Sequence, residues 1–465
     1  MARHFDRHAV DWQSARRHAI AAPLESGPTM SSGRRVVITG MGVICPLGNT
    51  LEELWDALTA GRSGVAPLAN LPPDFLPTSV AAEARQFSGS IDDFGPLEPD
   101  KKKAIRKGLK LMCRESQMGV AAAQRALTAA GLGGEQLDPD RSGVVFGSDY
   151  MLTAPDDFVA GIRQCMGESG TFDFSRWAPE GMPQVTPLWL LRYLPNMPAS
   201  HIAIYNDMRG PNNSLTLREA SSNAAVGEAF RTISRGSADV LVAGATGTRV
   251  HPMKIVHSLI QEEVVNGGVE PAHASRPFDL NRGGMVVGEG AAAMVLEELD
   301  AARARGATIY AEVIGTATSA VASTNAVAHR ETALANVMTA TLRDAGMTPK
   351  DVGHLHAHGL ATRTCDAEEA RAVHKVFGEH AEKVPVMAAK SYFGNLGAAS
   401  GLVELVSSVL ALNNDRLFRV LNYETPDPQC QVNVVREEMP AGDSSLAVNV
   451  TPQGQASAVM VRSFN

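Results

Sequence analysis

The strongest constraint on the fold is a pattern that occurs twice along the chain. Short apolar runs end in glycine, and stretches with the three-to-four-residue spacing of a helix separate them. In the first half RRVVITGMGVI precedes the amphipathic stretch LEELWDALTAG, and DKKKAIRKGLKLMCRESQMGVAAAQRALTAAGL, one long helix or two in series, precedes SGVVFGS. The segment GPNNSLTLREASSNAAVG then reads as a loop feeding a small-residue helix, and ADVLVAGAT as another strand. The second half repeats the grammar. Its strands are ATIYAEVIGTAT, GHLHAHG, VPVMAAK, SSLAVNV and ASAVMVRSF, and its helices are DAEEARAVHKVFG and SGLVELVSSVLALNN. Strands apolar on both faces are covered on both sides. Two such α/β halves predict stacked layers with a site where the halves meet. A chain of 465 residues is long enough for two core units or an internally duplicated domain.

A net charge of −8 argues against a general nucleic-acid surface. No apolar run reaches the roughly 18 to 20 residues that span a bilayer. Five scattered cysteines, Cys45, Cys113, Cys165, Cys365 and Cys430, fit a reducing, cytoplasmic setting and show no zinc spacing. Residues 1–33 are polar and rich in Arg and His, and are expected to form a disordered extension, with Met30 an alternative start.

Six segments, in order, resemble the β-ketoacyl-acyl-carrier-protein synthases, condensing enzymes of the thiolase-like fold, over residues 34–465. They are RRVVITGMGVICPLGN, RGPNNSLTLREASS, GSADVLVAGAT, RPFDLNRGGMVVGEGAAAMVLEEL, HAHGLATRTCDAEEA and AAKSYFGNLGAASGLVE. The resemblance implies an α/β thiolase-like fold of two pseudo-duplicated halves, 34–285 and 286–465, in five layers, α-β-α-β-α. It also implies a mechanism in which a cysteine at the N-terminus of a buried helix holds the acyl chain, activated by the helix dipole and backbone N–H groups. Two polar side chains, usually both histidines, bind the malonyl thioester oxygen during decarboxylation, and a lysine paired with a glutamate completes the network.

Carried onto this sequence, the first histidine is His358 and the lysine is Lys390. Asp366 and Glu369 stand one helical turn apart, on one face, with Glu369 the expected partner of Lys390. The second histidine position holds Asn395, which donates a hydrogen bond but cannot relay a proton; related condensing enzymes of the plant polyketide type use a His and Asn combination. The nucleophile position holds Glu219, with no cysteine in the segment to replace it. The glycine- and phenylalanine-rich gating loop is replaced by VNVTPQGQAS, Val448 to Ser457.

A carboxylate stores an acyl chain poorly, because the product is a labile mixed anhydride. Glu219 is therefore expected to pair with Arg218, Lys390 or His358 in a non-condensing protein of the chain-length-factor kind. The alternative makes it a general base or nucleophile in a rebuilt acyl-thioester site, with its pKa raised by burial or lowered beside Lys390. Ordinary condensation ranks last. Lys101, Lys102, Lys103, Arg106 and Lys107 open a helix where the family docks an acidic acyl carrier protein. The family forms dimers, here a homodimer or a heterodimer with a cysteine-bearing synthase. The resemblance calls for no organic cofactor and no metal; His354, His356 and His358 alternate as chelating residues on a strand do, but the motif accounts for His358.

Overall fold

In a computed structural model the residues described are 33–464, except 70, 72–75, 134 and 135. But for Gly33, the extension expected over residues 1–33 lies outside them. The first set of strands is β1 (Val36–Ile44), β2 (Ala66–Pro67), β3 (Val80–Ala82), β4 (Ser142–Ser148), β5 (Asn212–Leu215), β6 (Val240–Thr248) and β7 (Val287–Glu298). The second is β8 (Ala311–Ala320), β9 (His354–His356), β10 (Val386–Met387), β11 (Ser444–Val450) and β12 (Gln455–Arg462).

Strand order shows the duplication. With β2 and β3 off the main path, the first set runs β1-β7-β6-β4-β5 and the second β8-β12-β11-β9-β10. Each set has its first and last strands antiparallel, its last pair antiparallel, and two parallel pairings on the far side. The sets join where Val36–Ile38 of β1 pair with Ala311–Val313 of β8. The sequence reading divides the halves at 285/286; by strand order β7 completes the first set, so the division falls between β7 and β8.

The helices are α1 (Leu51–Thr59), α2 (Pro99–Gly108), α3 (Arg114–Ala129), α4 (Asp156–Gln164), α5 (Met197–Asn206), α6 (Ser221–Ser234), α7 (Pro252–Gln261), α8 (Leu299–Ala304), α9 (Arg330–Ala345), α10 (Arg363–Phe377), α11 (Lys390–Phe393) and α12 (Ser400–Asn413). Helix α3 covers the outer face of β1, β6 and β7, and α9, backed by α10, covers β8, β11 and β12. Between the sheets lie α6 and α12, each touching strands of both sets. These are the five layers, α-β-α-β-α.

Small residues allow this spacing. A Cβ on Gly42 of β1 would stand 2.1 Å from the Ala122 carbonyl oxygen of α3, so no larger residue fits the strand there. Central helix α12 is buried on almost every side, because both of its faces meet a sheet. The stretch read as one or two helices after Asp100 is two, α2 and α3, separated by the turn Leu109–Leu111.

Candidate active site

The N-terminal ends of the two central helices meet at the middle of the molecule, and each is preceded by the same kind of turn. In the first, Arg218–Ala220, the Leu217 N–H donates to Ser221 Oγ at 2.8 Å. In the second, Gly397–Ala399, the Leu396 N–H donates to Ser400 Oγ at 2.9 Å. The residue after each leucine is left-handed, φ 53° at Arg218 and 62° at Gly397. The Ser222 hydroxyl donates to the Ala398 carbonyl and ties the turns together. Two 14-residue helices thus direct their positive ends at one point, an environment that favours an anion.

That anion is Glu219, only 2% exposed. Its Oε1 accepts from Arg249 Nη2 at 2.6 Å and from Asn395 Nδ2 at 3.1 Å, and its Oε2 lies 3.5 Å from Arg218 Nε. Arg249 also lies 3.4 Å from Asp149. Asp149 and Arg249 are the first residues beyond the parallel strands β4 and β6, the strand ends at which α/β sheets build sites. Both are 0% exposed. Burial alone would raise the Glu219 pKa, but Arg249 first and Arg218 second hold the carboxyl well below the usual range. It is an ionised, neutralised and sealed carboxylate.

Of the partners expected for Glu219, only Arg218 is one. Lys390 is instead bonded to Glu404 of α12 and to the His358 carbonyl at 2.7 Å, and its Nζ lies 3.4 Å from His358 Nδ1. Asn449 of β11 donates to Glu404 Oε2 at 2.8 Å and lies 3.3 Å from the same His358 nitrogen. With two donors at Nδ1, the ring carries its proton on Nε2. Burial, reinforced by Lys390, lowers the His358 pKa well below its ordinary value, so the ring is neutral.

Glu369 therefore does not pair with Lys390. It accepts the backbone N–H groups of His358 and Gly359 at 2.7 and 2.8 Å and fixes the turn that presents the histidine. Asp366, on the same buried face of α10, accepts the Phe278 N–H at 2.8 Å and lies 3.7 Å from Arg282. Burial raises both carboxyl pKa values, Glu369 to about 7 and Asp366 to about 6.

Asn395 keeps donor groups, but they are committed: its amide donates to Glu219 and to Met285 Sδ at 3.4 Å. Its oxygen accepts from the Gly397 N–H and the Ser400 hydroxyl. The alternating His354 and His356 are likewise committed. His356 Nε2 accepts the Ala389 N–H, so its Nδ1–H donates to Ser408 Oγ at 2.7 Å. The serine sits 3.2 Å from His354 Nε2, and His354 Nδ1 lies 2.9 Å from the Ala441 carbonyl. No nitrogen of either ring is left for a metal.

The rebuilt loop is a tight hairpin. Between β11 and β12, the Thr451 N–H donates to the Gln455 carbonyl at 2.8 Å and the Gly454 N–H to the Thr451 carbonyl at 3.0 Å. On α2 the basic residues separate into two kinds. Lys101 donates to Asn206 at 2.8 Å and Lys102 pairs with Asp92 at 2.8 Å, whereas Lys103, Arg106 and Lys107 are exposed and form no ion pair among the described residues.

The sequence reading missed Arg249, Asp149, Glu404 and Asn449. Arg249 and Asp149 carried a local signal: each is a charged residue directly after a buried strand. No helix of the described residues is long and apolar enough to cross a membrane.

Comparison with known proteins agrees with this architecture. The Beta-ketoacyl synthase N-terminal domain matches residues 33–302 and the C-terminal domain residues 310–424. A 3-oxoacyl-[acyl-carrier-protein] synthase 2 of Coxiella burnetii is 35% identical over 406 residues, 87% of this chain and 92% of that protein. The solved ishigamide ketosynthase/chain length factor superposes with TM-score 0.78 at 25% identity, over 93% of this chain and 100% of that one. A type II PKS acyl-carrier protein in complex with its ketosynthase bound to the hexaketide gives TM-score 0.77 at 25% identity, with the same coverage. By fold, by strand order and by these matches over both halves, the chain belongs to the β-ketoacyl synthase family.

Proposed function

We propose that this chain is a non-condensing partner, of the chain-length-factor kind, that works beside acyl chains carried on an acyl carrier protein in fatty-acid or polyketide-type synthesis. The observation that carries this reading is the nucleophile position itself. An ionised carboxylate stands there, neutralised by a guanidinium with no exposure, and Asn395 is drawn onto it rather than left free for a malonyl thioester. The similarity to a ketosynthase/chain length factor supports a heterodimer with a cysteine-bearing synthase.

Purified protein incubated with acyl- and malonyl-loaded carrier is expected to show no added acyl mass and no carbon dioxide release. Coexpression with a cysteine-bearing homologue is expected to yield a stable pair. Carbon dioxide release abolished by Glu219→Ala would overturn the reading.

A second reading has one observation in its favour: the network of His358, Lys390, Glu404 and Asn449 is complete. A retained decarboxylase would show carbon dioxide release that is lost in His358→Ala and kept in Glu219→Gln.

For the carrier, attraction between the exposed face of α2 and an acidic partner is the supporting argument. Charge reversal of Lys103, Arg106 and Lys107 together is expected to weaken carrier binding by about tenfold or more at low salt, with the gap closing as salt rises. Lys101→Ala should leave affinity nearly unchanged, because that ammonium already serves Asn206. Titration by calorimetry at two ionic strengths tests both.

A further inference from the structure

Beyond Glu219, buried charge continues to a cavity that opens to the surface. Asp149 is followed by Tyr150, and the Lys254 ammonium of α7 lies 5.3 Å from the centre of that ring. Lys254, 0% exposed, donates at 2.6 Å to Glu115 in the first turn of α3. Glu115 in turn lines a cavity of about 300 Å³ together with Met112, Cys113, Val250 and His251. From Glu219 the order is therefore Arg249 and Asp149, then Tyr150, then Lys254 and Glu115, then the cavity.

The charged residues between Glu219 and the cavity are poor walls for an alkyl chain, which calls for apolar ones. They are also costly to the protein. Glu115 Oε2, Asp149 Oδ1, and Arg249 Nε and Nη1 are buried without a hydrogen-bond partner. A buried ion pair is often replaceable by apolar residues of similar size without loss of stability. Stability alone does not account for Lys254 and Glu115.

We propose that the Lys254–Glu115 pair is a specificity determinant: it closes the passage between the nucleophile position and the cavity to acyl chains, so Glu219 is not the sole barrier to acyl storage. The proposal rests on the non-condensing reading but fails separately from it. That reading falls if the unaltered protein takes up acyl groups; this one falls on the variants.

The test uses Glu219→Cys and the triple variant Glu219→Cys/Glu115→Leu/Lys254→Met, each incubated with decanoyl coenzyme A and followed by intact mass. Attack of the introduced thiolate on the thioester carbonyl forms one C–S bond and breaks another, and coenzyme A leaves as its thiolate, which takes a proton from water. The triple variant is expected to reach at least about tenfold higher acyl occupancy than the single one, because the long chain is excluded by two buried charges. Equal occupancy in the two, or none in a triple variant that unfolds cooperatively, overturns the proposal.

A measurement on the single variant alone covers the case of a triple variant that does not fold. Iodoacetamide is expected to modify the introduced thiol at least about tenfold faster than its N-decyl analogue, the long chain having no space to occupy. Equal rates would overturn the proposal.

Discussion

Substituting Arg249 by methionine is expected to remove roughly 3–5 kcal/mol of folding stability, the range for breaking a buried ion pair by deleting one partner. The change strands two carboxylates at once, Glu219 and Asp149, at 2% and 0% exposure. The surviving charge near Glu219 is Arg218, 3.5 Å away and backbone-strained by its left-handed conformation. Adding Glu219→Gln should restore a large part of the loss, since the amide no longer needs a counter-charge and still accepts from Asn395. Denaturant unfolding of the two single variants and the double checks this as a thermodynamic cycle. A loss below about 1 kcal/mol for Arg249→Met would show that the pair does not hold the site.

Lys390→Met should cost a similar amount, about 3–5 kcal/mol near pH 8, and its pH dependence separates it from a simple packing defect. Glu404 is buried, which raises its pKa, and Lys390 is what restrains that rise. Without the ammonium, the folded-state pKa of Glu404 climbs further above its unfolded value. A carboxyl raised on folding gives up stability as pH increases from the unfolded pKa through the folded one. The deficit of Lys390→Met is therefore expected to be smaller at pH 5 than at pH 8, and Lys390→Met/Glu404→Gln should lose that slope. Unfolding midpoints at the two pH values provide the measurement; a deficit independent of pH would rule out a stranded Glu404.

Much of the architecture was legible because the features involved are local. Strand ends marked by glycine, helix periodicity and six ordered segments place α6, β9 and α11, and with them Glu219, His358 and Lys390. The missed residues are missed for one physical reason: their partners come from other elements. Arg249 meets Glu219 only because β6 and α6 lie on facing layers, and Asp149 joins them across β4. Glu404 stood inside a quoted segment, but an apolar helix hid its role, and the nearer acidic cluster at Asp366 and Glu369 drew the assignment. That cluster instead binds backbone N–H groups, a task no spacing rule distinguishes from ion pairing. The replaced loop was visible by its missing phenylalanine, whereas its closure into a hairpin depends on bonds between Thr451, Gly454 and Gln455.

The paired turns at the heads of α6 and α12 have a mechanical consequence. Glu219, Arg249 and Asp149 belong to one half of the chain, and Asn395, His358 and Lys390 to the other; the bond from Asn395 to Glu219 and that from Ser222 to Ala398 both cross between them. Neither half can melt without breaking both of these bonds. Glu219 thus works as a keystone: one buried carboxylate, held by Arg249 from its own repeat and by Asn395 from the other, couples the two repeats into a single cooperative body.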